Sequence, residues 1–329
     1  MITYLPVELH THTNHSDGSY TVTELVKKAK KFGYSAIFLS DHNTISPYEE
    51  VINKHLNKIL PVFKGVEWTT FYGHMVILGC NVMSDWTKAT KDNMDECIAE
   101  IKKEEDVVIG IAHPYAIGNP ICTGCHWEFN VKNWDNIDYI EIYNSANPQD
   151  VFWNEDAYLM WTRKINAGYK IACTSGRDWH RDPRDNDNIP LTYLGIDGEL
   201  NQTNAVKAIK KGRVYTSLGP VLDIKINVDG NEVNLGDTIE SNKQVDINIK
   251  VLKPVMNSQF DIEVELLRFY NSPKDFMDIN IEYDDENQIR FISEKGFFRF
   301  EILGHIKNSK LTKLVVTSPV YVEWYFHII

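Results

Sequence analysis

From residue 2 to residue 217, short apolar runs alternate with helix-like stretches, and run after run stops at an acid or a histidine. This alternation constrains the fold more than any other feature of the chain. Residues 2–10 read as a strand. Thr21, Val22, Thr23 and Glu24 form a helix start with an N-cap and an acid in the first turn, and Leu25, Val26 and Ala29 make an apolar face that Gly33 terminates. Residues 36–39 are a short buried strand running into Ser40, Asp41 and His42. Residues 60–66 read as a strand ending at Glu67, residues 75–78 as another, and residues 107–112 as a third ending at His113 and Pro114. Residues 138–142 lead to Tyr143 and Asn144, and residues 171–174 lead to Gly176, Arg177 and Asp178. The helix-like stretch 203–211 is followed by a final run, 213–217. Strand, helix, strand with polar residues at the strand ends is the pattern of a parallel α/β barrel or open sheet. In both, active sites gather at the carboxyl ends of the strands.

After Gly219 and Pro220 the period changes. Leu222, Ile224, Ile226 and Val228 alternate with polar positions and meet Asp229-Gly230, a hairpin signal. Val245, Ile247, Ile249 and Val251 repeat the alternation, as do Ile262, Val264 and Leu266, and then Phe298, Phe300 and Ile302. Period two in several short runs means antiparallel strands with one wet face. The expectation is therefore an α/β domain over residues 1–219 and a small antiparallel β-sandwich over 220–329. In that second part His305 and His327 are isolated and read as packed or solvated side chains.

The chain of 329 residues carries 34 basic and 46 acidic residues, a net charge of −12, which argues against a broad grip on nucleic acid or an anionic membrane. A local phosphate site is compatible with that balance, because bound cations invert the field of an acidic pocket. The first nine residues show neither a basic region nor a long apolar stretch, and no later run has the roughly 18 apolar residues of a spanning helix. A soluble, cytoplasmic protein is expected. Five cysteines, at 80, 97, 122, 125 and 173, do not resemble a secreted disulfide framework, and reduced thiols follow. Cys122, Cys125 and His126 match the short spacing of covalent haem attachment, but that chemistry normally needs an exported chain, and a loop with incidental thiols is the plainer reading.

The polar strand ends supply a large set of metal donors. His10 and His12 stand at i and i+2, so both face one way if the backbone there is extended, and Asp178 and His180 repeat that spacing. Glu67 can bridge two cations if its strand ends there, and His74 reaches the same rim if its segment returns towards Glu67. Asp17 and the Asp41-His42 pair complete the set. Imidazole suits zinc, iron and manganese, and carboxylates lower the net charge of a site with several cations. So many histidines and acids are costly to bury unless partners or metals compensate them.

Glu8-Leu9-His10-Thr11-His12-Thr13 with Ser16-Asp17-Gly18, followed by Leu39-Ser40-Asp41-His42-Asn43-Thr44, resembles the PHP (polymerase and histidinol phosphatase) family. Gly65-Val66-Glu67, Gly73-His74, Ala112-His113-Pro114 and Gly176-Arg177-Asp178-Trp179-His180 continue that family's order over residues 1–219. The resemblance implies a distorted seven-stranded β/α barrel and two or three divalent metal ions, manganese, iron or zinc. It implies one metal held by His10, His12, Glu67 and Asp178, a second by Glu67, His74 and His113, and a third by Asp17, His42 and His180. Lys211-Gly212-Arg213-Val214-Tyr215-Thr216 with a following β domain looks more narrowly like the CehA/McbA-type branch, which includes ester and carbamate hydrolases.

The expected chemistry is a hydrolase, foremost a phosphoesterase, in which metal-activated water attacks a small phosphate ester. Arg177 is read either as a phosphate clamp or as the partner of a ligand carboxylate. His15 is a candidate to protonate a leaving group or a solvated loop histidine, and Asp41 an orienter of a neighbouring ligand. Trp68, Phe71, Tyr72, Tyr115, Trp127 and Trp179 offer material for an apolar pocket, which keeps open carbamate or carboxyl-ester hydrolysis. A non-catalytic, metal-stabilised binding module is the third reading. The expected partner is a small-molecule ester, with neither nucleic acid nor membrane.

Overall fold

The structure, a computed structural model, describes residues 2–118, 124–184, 187–257, 260–272, 275–307 and 309–323. Cys122 and His327 lie outside these. Among the described residues the first part of the chain supplies nine strands: β1 (Ile2–Glu8), β2 (Ala36–Leu39), β3 (Val62–Thr70), β4 (Gly73–Leu78), β5 (Val108–Ile111), β6 (Tyr139–Asn144), β7 (Ala172–Gly176), β8 (Leu191–Asp197) and β9 (Val214–Ser217). Five α-helices among the described residues accompany them: α1 (Val22–Phe32), α2 (Pro47–Asn53), α3 (Met94–Ile101), α4 (Phe152–Asn166) and α5 (Gln202–Lys210). Strands β1 to β7 stand in sequence order in one sheet, and β8 flanks β1 on the other side. Beyond β7 the backbone returns to the end of β1, where Thr11 and Trp179 form a parallel bridge.

The sheet is mixed rather than parallel throughout. β4 is antiparallel to both β3 and β5, while β1–β2, β2–β3, β5–β6 and β6–β7 are parallel. The cause is the short link between β3 and β4: Thr70 pairs with Gly73, leaving two residues to turn, which can join only antiparallel neighbours. The same hairpin corrects the expectation that the strand ends at Glu67. β3 runs on to Thr70, and Glu67 pairs with Val76 inside the ladder. Because β4 runs backwards, its amino end reaches the rim where its parallel neighbours end. Tyr143 and Asn144 likewise lie within β6, not after it.

The helices bury the faces that their spacing predicts. Thr21 caps α1 in a full capping box with Glu24, Gly33 closes it in the left-handed region, and Val22, Leu25, Val26 and Ala29 face the core. Met94, Ile98 and Ile101 of α3 pack with Val66, Trp68 and Ile77, and Tyr158, Trp161 and Ile165 of α4 with Ile140 and Ile142. Ala205, Val206, Ala208 and Ile209 of α5 share a core with Val7, Phe38, Phe63 and Leu194. Among the described residues no helix is long and apolar enough to cross a membrane.

Among the described residues the regular elements of the second part are all strands: β10 (Val221–Val228), β11 (Asn231–Val233), β12 (Thr238–Glu240), β13 (Gln244–Leu252), β14 (Ile262–Tyr270), β15 (Phe276–Asn280), β16 (Glu286–Ile292), β17 (Gly296–Ile306), β18 (Thr312–Thr317) and β19 (Val320–Glu323). Asp229 and Gly230, both at positive φ, make the expected hairpin between β10 and β11. A separate antiparallel sheet, β11-β10-β13-β16, buries Ile226, Val245, Ile247 and Ile249 in one core with Leu267, Phe269, Phe300 and Ile302 of the main sheet. The main sheet continues from the first part into the second, because β9 pairs with β18, Thr216 opposite Val316. His305 is held at the surface by the Ser309 carbonyl and Glu265.

Candidate metal centre

Glu67 is fully buried, and each of its oxygens meets imidazoles. Oε1 lies 2.7 Å from His74 Nδ1 and 3.1 Å from His113 Nε2. Oε2 lies 3.2 Å from His10 Nε2, 3.3 Å from His12 Nε2 and 3.0 Å from His42 Nδ1. Asp178 closes the second set, its Oδ1 3.5 Å from His10 Nε2 and 3.1 Å from His12 Nε2. At the outer edge Asp17 Oδ1 is 3.1 Å from His180 Nε2, and Oδ2 is 3.5 Å from His42 Nε2. Four groups of ligating atoms thus converge within 4.8 Å: His10, His12, Glu67 and Asp178; His12, Asp17, His42 and His180; His42, Glu67 and His74; and His74, His113 and Cys125. All nine donors expected from the sequence come together on one rim, through the ends of β1, β2, β5 and β7 and the β3–β4 hairpin.

These contacts are not an ordinary polar network. His10 Nε2, both nitrogens of His12, His74 Nε2, His113 Nδ1, Glu67 Oε2 and Asp178 Oδ1 are buried without a hydrogen-bond partner, although imidazoles and carboxylates stand within 3.5 Å of one another. Donors about 2.1 Å from a shared ion at tetrahedral angles are separated by ~3.4 Å, the spacing found here. The donor set therefore fits divalent metal ions. Its electrostatics agree. Burial opposes charge on His10, but Glu141, Glu67 and Asp178 outweigh it and hold the ring well above the usual histidine range. Burial is likewise outweighed at His42, where Glu67 and Asp17 push the ring up to about 11. Glu67 and Asp178 are held well below the carboxylate range despite their burial, Glu67 chiefly by His42, His10 and His74. The buried carboxylates thus favour positive charge at the imidazole positions, which a bound cation would supply.

Residues outside the donor set aim it. Glu141 of β6, which the sequence reading missed, bonds His10 Nδ1 at 2.8 Å and accepts from the His113 backbone N–H at 3.1 Å. Gly176 makes room for that carboxylate, since a Cβ there would lie 2.1 Å from Glu141 Oε1. Glu8 Oε1 accepts from the backbone N–H groups of His10 and Arg177, which ties the end of β1 to the end of β7. Thr69 Oγ1 sits 2.6 Å from His42 Nδ1. Asp41, buried, accepts from Thr13 N–H, Thr13 Oγ1 and Ser16 Oγ, and so fixes the loop that carries Asp17. Two ligands adopt left-handed backbone, His113 at φ 27° and Asp178 at φ 51°. Replacing Glu141 with Gln is expected to weaken metal binding about 10–100-fold, measured by metal titration with a competing chelator. Unchanged affinity would remove Glu141 from the centre.

Two expected catalytic residues have neighbours outside the donor set. The Arg177 guanidinium lies 3.5 Å over the ring of Trp179 and also against Phe32, with Glu8 and Tyr34 as its polar surroundings. Stacking and the Glu8 anchor hold the side chain against these rings. His15 turns towards α2, its Nδ1 2.8 Å from Ser46 Oγ and its Nε2 3.6 Å from Glu50. Of the aromatic candidates, Trp68 and Trp179 are buried in the cores.

An α/β sheet that gathers nine histidine and carboxylate donors on one rim defines a protein equipped to bind metal ions. Residues 8–158 match the PHP domain. The fold resembles the crystal structure of a two-domain protein containing a predicted PHP-like metal-dependent phosphoesterase from Bacteroides vulgatus, with a TM-score of 0.51 and 16% identity over 97% of this chain and 96% of that one. In sequence, 41 residues are 51% identical to the DNA polymerase III subunit alpha of Aquifex aeolicus, and 47 residues are 43% identical to an uncharacterized protein of Methanocaldococcus jannaschii. These matches span only 4% and 22% of the two relatives' own lengths.

Proposed function

We propose that the chain is a metal-dependent phosphoesterase that releases phosphate from a small phosphate ester. The observation that carries this reading is Glu67, one buried carboxylate placed between two sets of imidazoles so that its two oxygens serve adjacent positions. Cations held by these donors supply Lewis acidity and a water activated at neutral pH. The side chains do the rest of the positioning. Glu141 fixes the ring of His10, Thr69 that of His42, and Asp41 the loop of Asp17. Substrate enters on the side of Asp17, His42 and His180, because these donors are partly exposed whereas His10, His12 and Glu67 are fully buried. With the Arg177 side chain held against Trp179 and Phe32, recognition of the phosphate charge falls to the centre itself. We read the ring of β1 to β7 as the distorted seven-stranded β/α barrel, residues 1–219 as the catalytic unit and residues 220–329 as an accessory β-sandwich. The net charge of −12 supports a small-molecule substrate rather than a nucleic acid.

Elemental analysis of the purified protein, with hydrolysis of phosphate, carboxyl and carbamate esters before and after chelation, tests the reading. The expected result is two or three equivalents of manganese, iron or zinc and phosphate release that chelation abolishes and metal restores, with His12→Ala and Asp178→Ala inactive. Cleavage of the neutral esters alone would overturn the phosphoesterase in favour of a carbamate or carboxyl-ester hydrolase. Bound metal without turnover of any ester would make the domain a binding module.

A further inference from the structure

We propose that Cys125 is a thiolate ligand of the ion held by His74 and His113, a donor beyond the nine drawn from histidines and carboxylates. Ligating atoms of His74, His113 and Cys125 lie within 4.8 Å of one another. The loop that carries the thiol is pinned between the two segments that present those rings. Gly124, at φ +71°, packs so closely on the turn before His74 that a Cβ would lie 2.1 Å from the Phe71 carbonyl oxygen. Glu128 N–H donates to the Tyr72 carbonyl, and Trp127 N–H to the carbonyl of Pro114, the residue after His113, both at 2.8 Å. The His126 ring meets Tyr115 edge-on at 5.5 Å. The nitrogens of these rings that do not meet Glu67, His74 Nε2 and His113 Nδ1, are both buried and without a hydrogen-bond partner.

A thiolate changes what the site selects. Sulfur is a soft donor that favours zinc or ferrous iron, whereas the Asp17, His42 and His180 corner offers only imidazole and carboxylate and admits manganese. The centre is then chemically unequal, with one position biased towards thiophilic metals. Metal binding replaces the thiol proton, which leaves to solvent, so no oxidant or reductant is needed. This inference rests on the metal-centre reading, but not on the ester that the centre cleaves.

Cobalt(II) added to the metal-free full-length protein provides the test. The expected result is a thiolate-to-cobalt charge-transfer band in the near ultraviolet that Cys125→Ser loses and Cys122→Ser keeps, while the visible ligand-field bands persist in both. Zinc affinity of Cys125→Ser should fall by about tenfold or more relative to manganese affinity. A wild-type spectrum without the charge-transfer band, or a band that survives in Cys125→Ser, would overturn the proposal. A second measurement needs no variant: zinc should slow alkylation of Cys125 by iodoacetamide at least about tenfold while leaving Cys97, which is partly exposed, unaffected. Equal alkylation with and without zinc would overturn it as well. Neither readout depends on turnover, so a lost phosphoesterase and a lost thiolate ligand are told apart.

Discussion

Glu67→Gln is expected to empty the centre and to lower phosphoester turnover about 10³-fold or more, while the fold persists. Glutamine keeps the volume, so no cavity opens in β3, but it removes the one charge that five imidazoles share. The loss in metal affinity should exceed the roughly 10–100-fold that follows removal of an outer hydrogen-bond partner, because here a candidate donor itself goes. Elemental analysis and steady-state kinetics read the two effects, and circular dichroism confirms the fold. Full metal content with undiminished turnover in Glu67→Gln would show that Glu67 is not the bridge.

The second large effect lies away from the rim. Arg299 and Glu301 of β17 are buried side by side, with Nη1 2.5 Å from Glu301 Oε1. Tyr158 of α4 donates to the same oxygen at 2.5 Å, and Tyr270 of β14 to Oε2 at 3.2 Å. The network joins a helix of the first part to two strands of the second. Glu301→Gln leaves a buried guanidinium without its counter-charge, a change that costs about 3–5 kcal/mol and is read by urea denaturation. The pH dependence has a definite sign. Burial would raise the Glu301 carboxyl, but Arg299 and the Tyr158 hydroxyl hold it below the ordinary value of 4.5. A carboxyl depressed in the fold stabilises fully above its unfolded value and loses that contribution as pH falls through the folded one. Wild-type stability should therefore decline more steeply than that of Glu301→Gln below pH 4.5. Parallel declines, or equal stability at neutral pH, would show the network to be energetically silent.

Much of this molecule was legible because periodicity and chemistry agreed along the chain. The capping box of α1, the Asp229-Gly230 hairpin and the alternation in β13 are local signals, and each element formed where its signal lay. The metal donors were legible because buried histidines and acids have few structural uses. What escaped was non-local. The reversal at β4 depends on a two-residue turn that removes the crossover helix, so the sequence pattern of a parallel sheet misstated that direction. Glu141 stood between Ile140 and Ile142 in an apolar run, and that lone acid was the available sign of a buried partner across the sheet. Arg177 carried no local sign of its direction, because the ring that captures it and the carboxylate that anchors its backbone come from different elements. Cys125 was masked by its spacing to His126, which suggested a different metal group.

The left-handed backbone at His113 and Asp178 carries a cost in stability. Glycine occupies that region without steric penalty, whereas a side chain there costs on the order of 1 kcal/mol or more. A sequence tuned for durability alone would place glycine at both positions. With an imidazole and a carboxylate there instead, the chain trades stability for side chains at two fixed points, so glycine at either position would relax the backbone while removing a candidate metal donor.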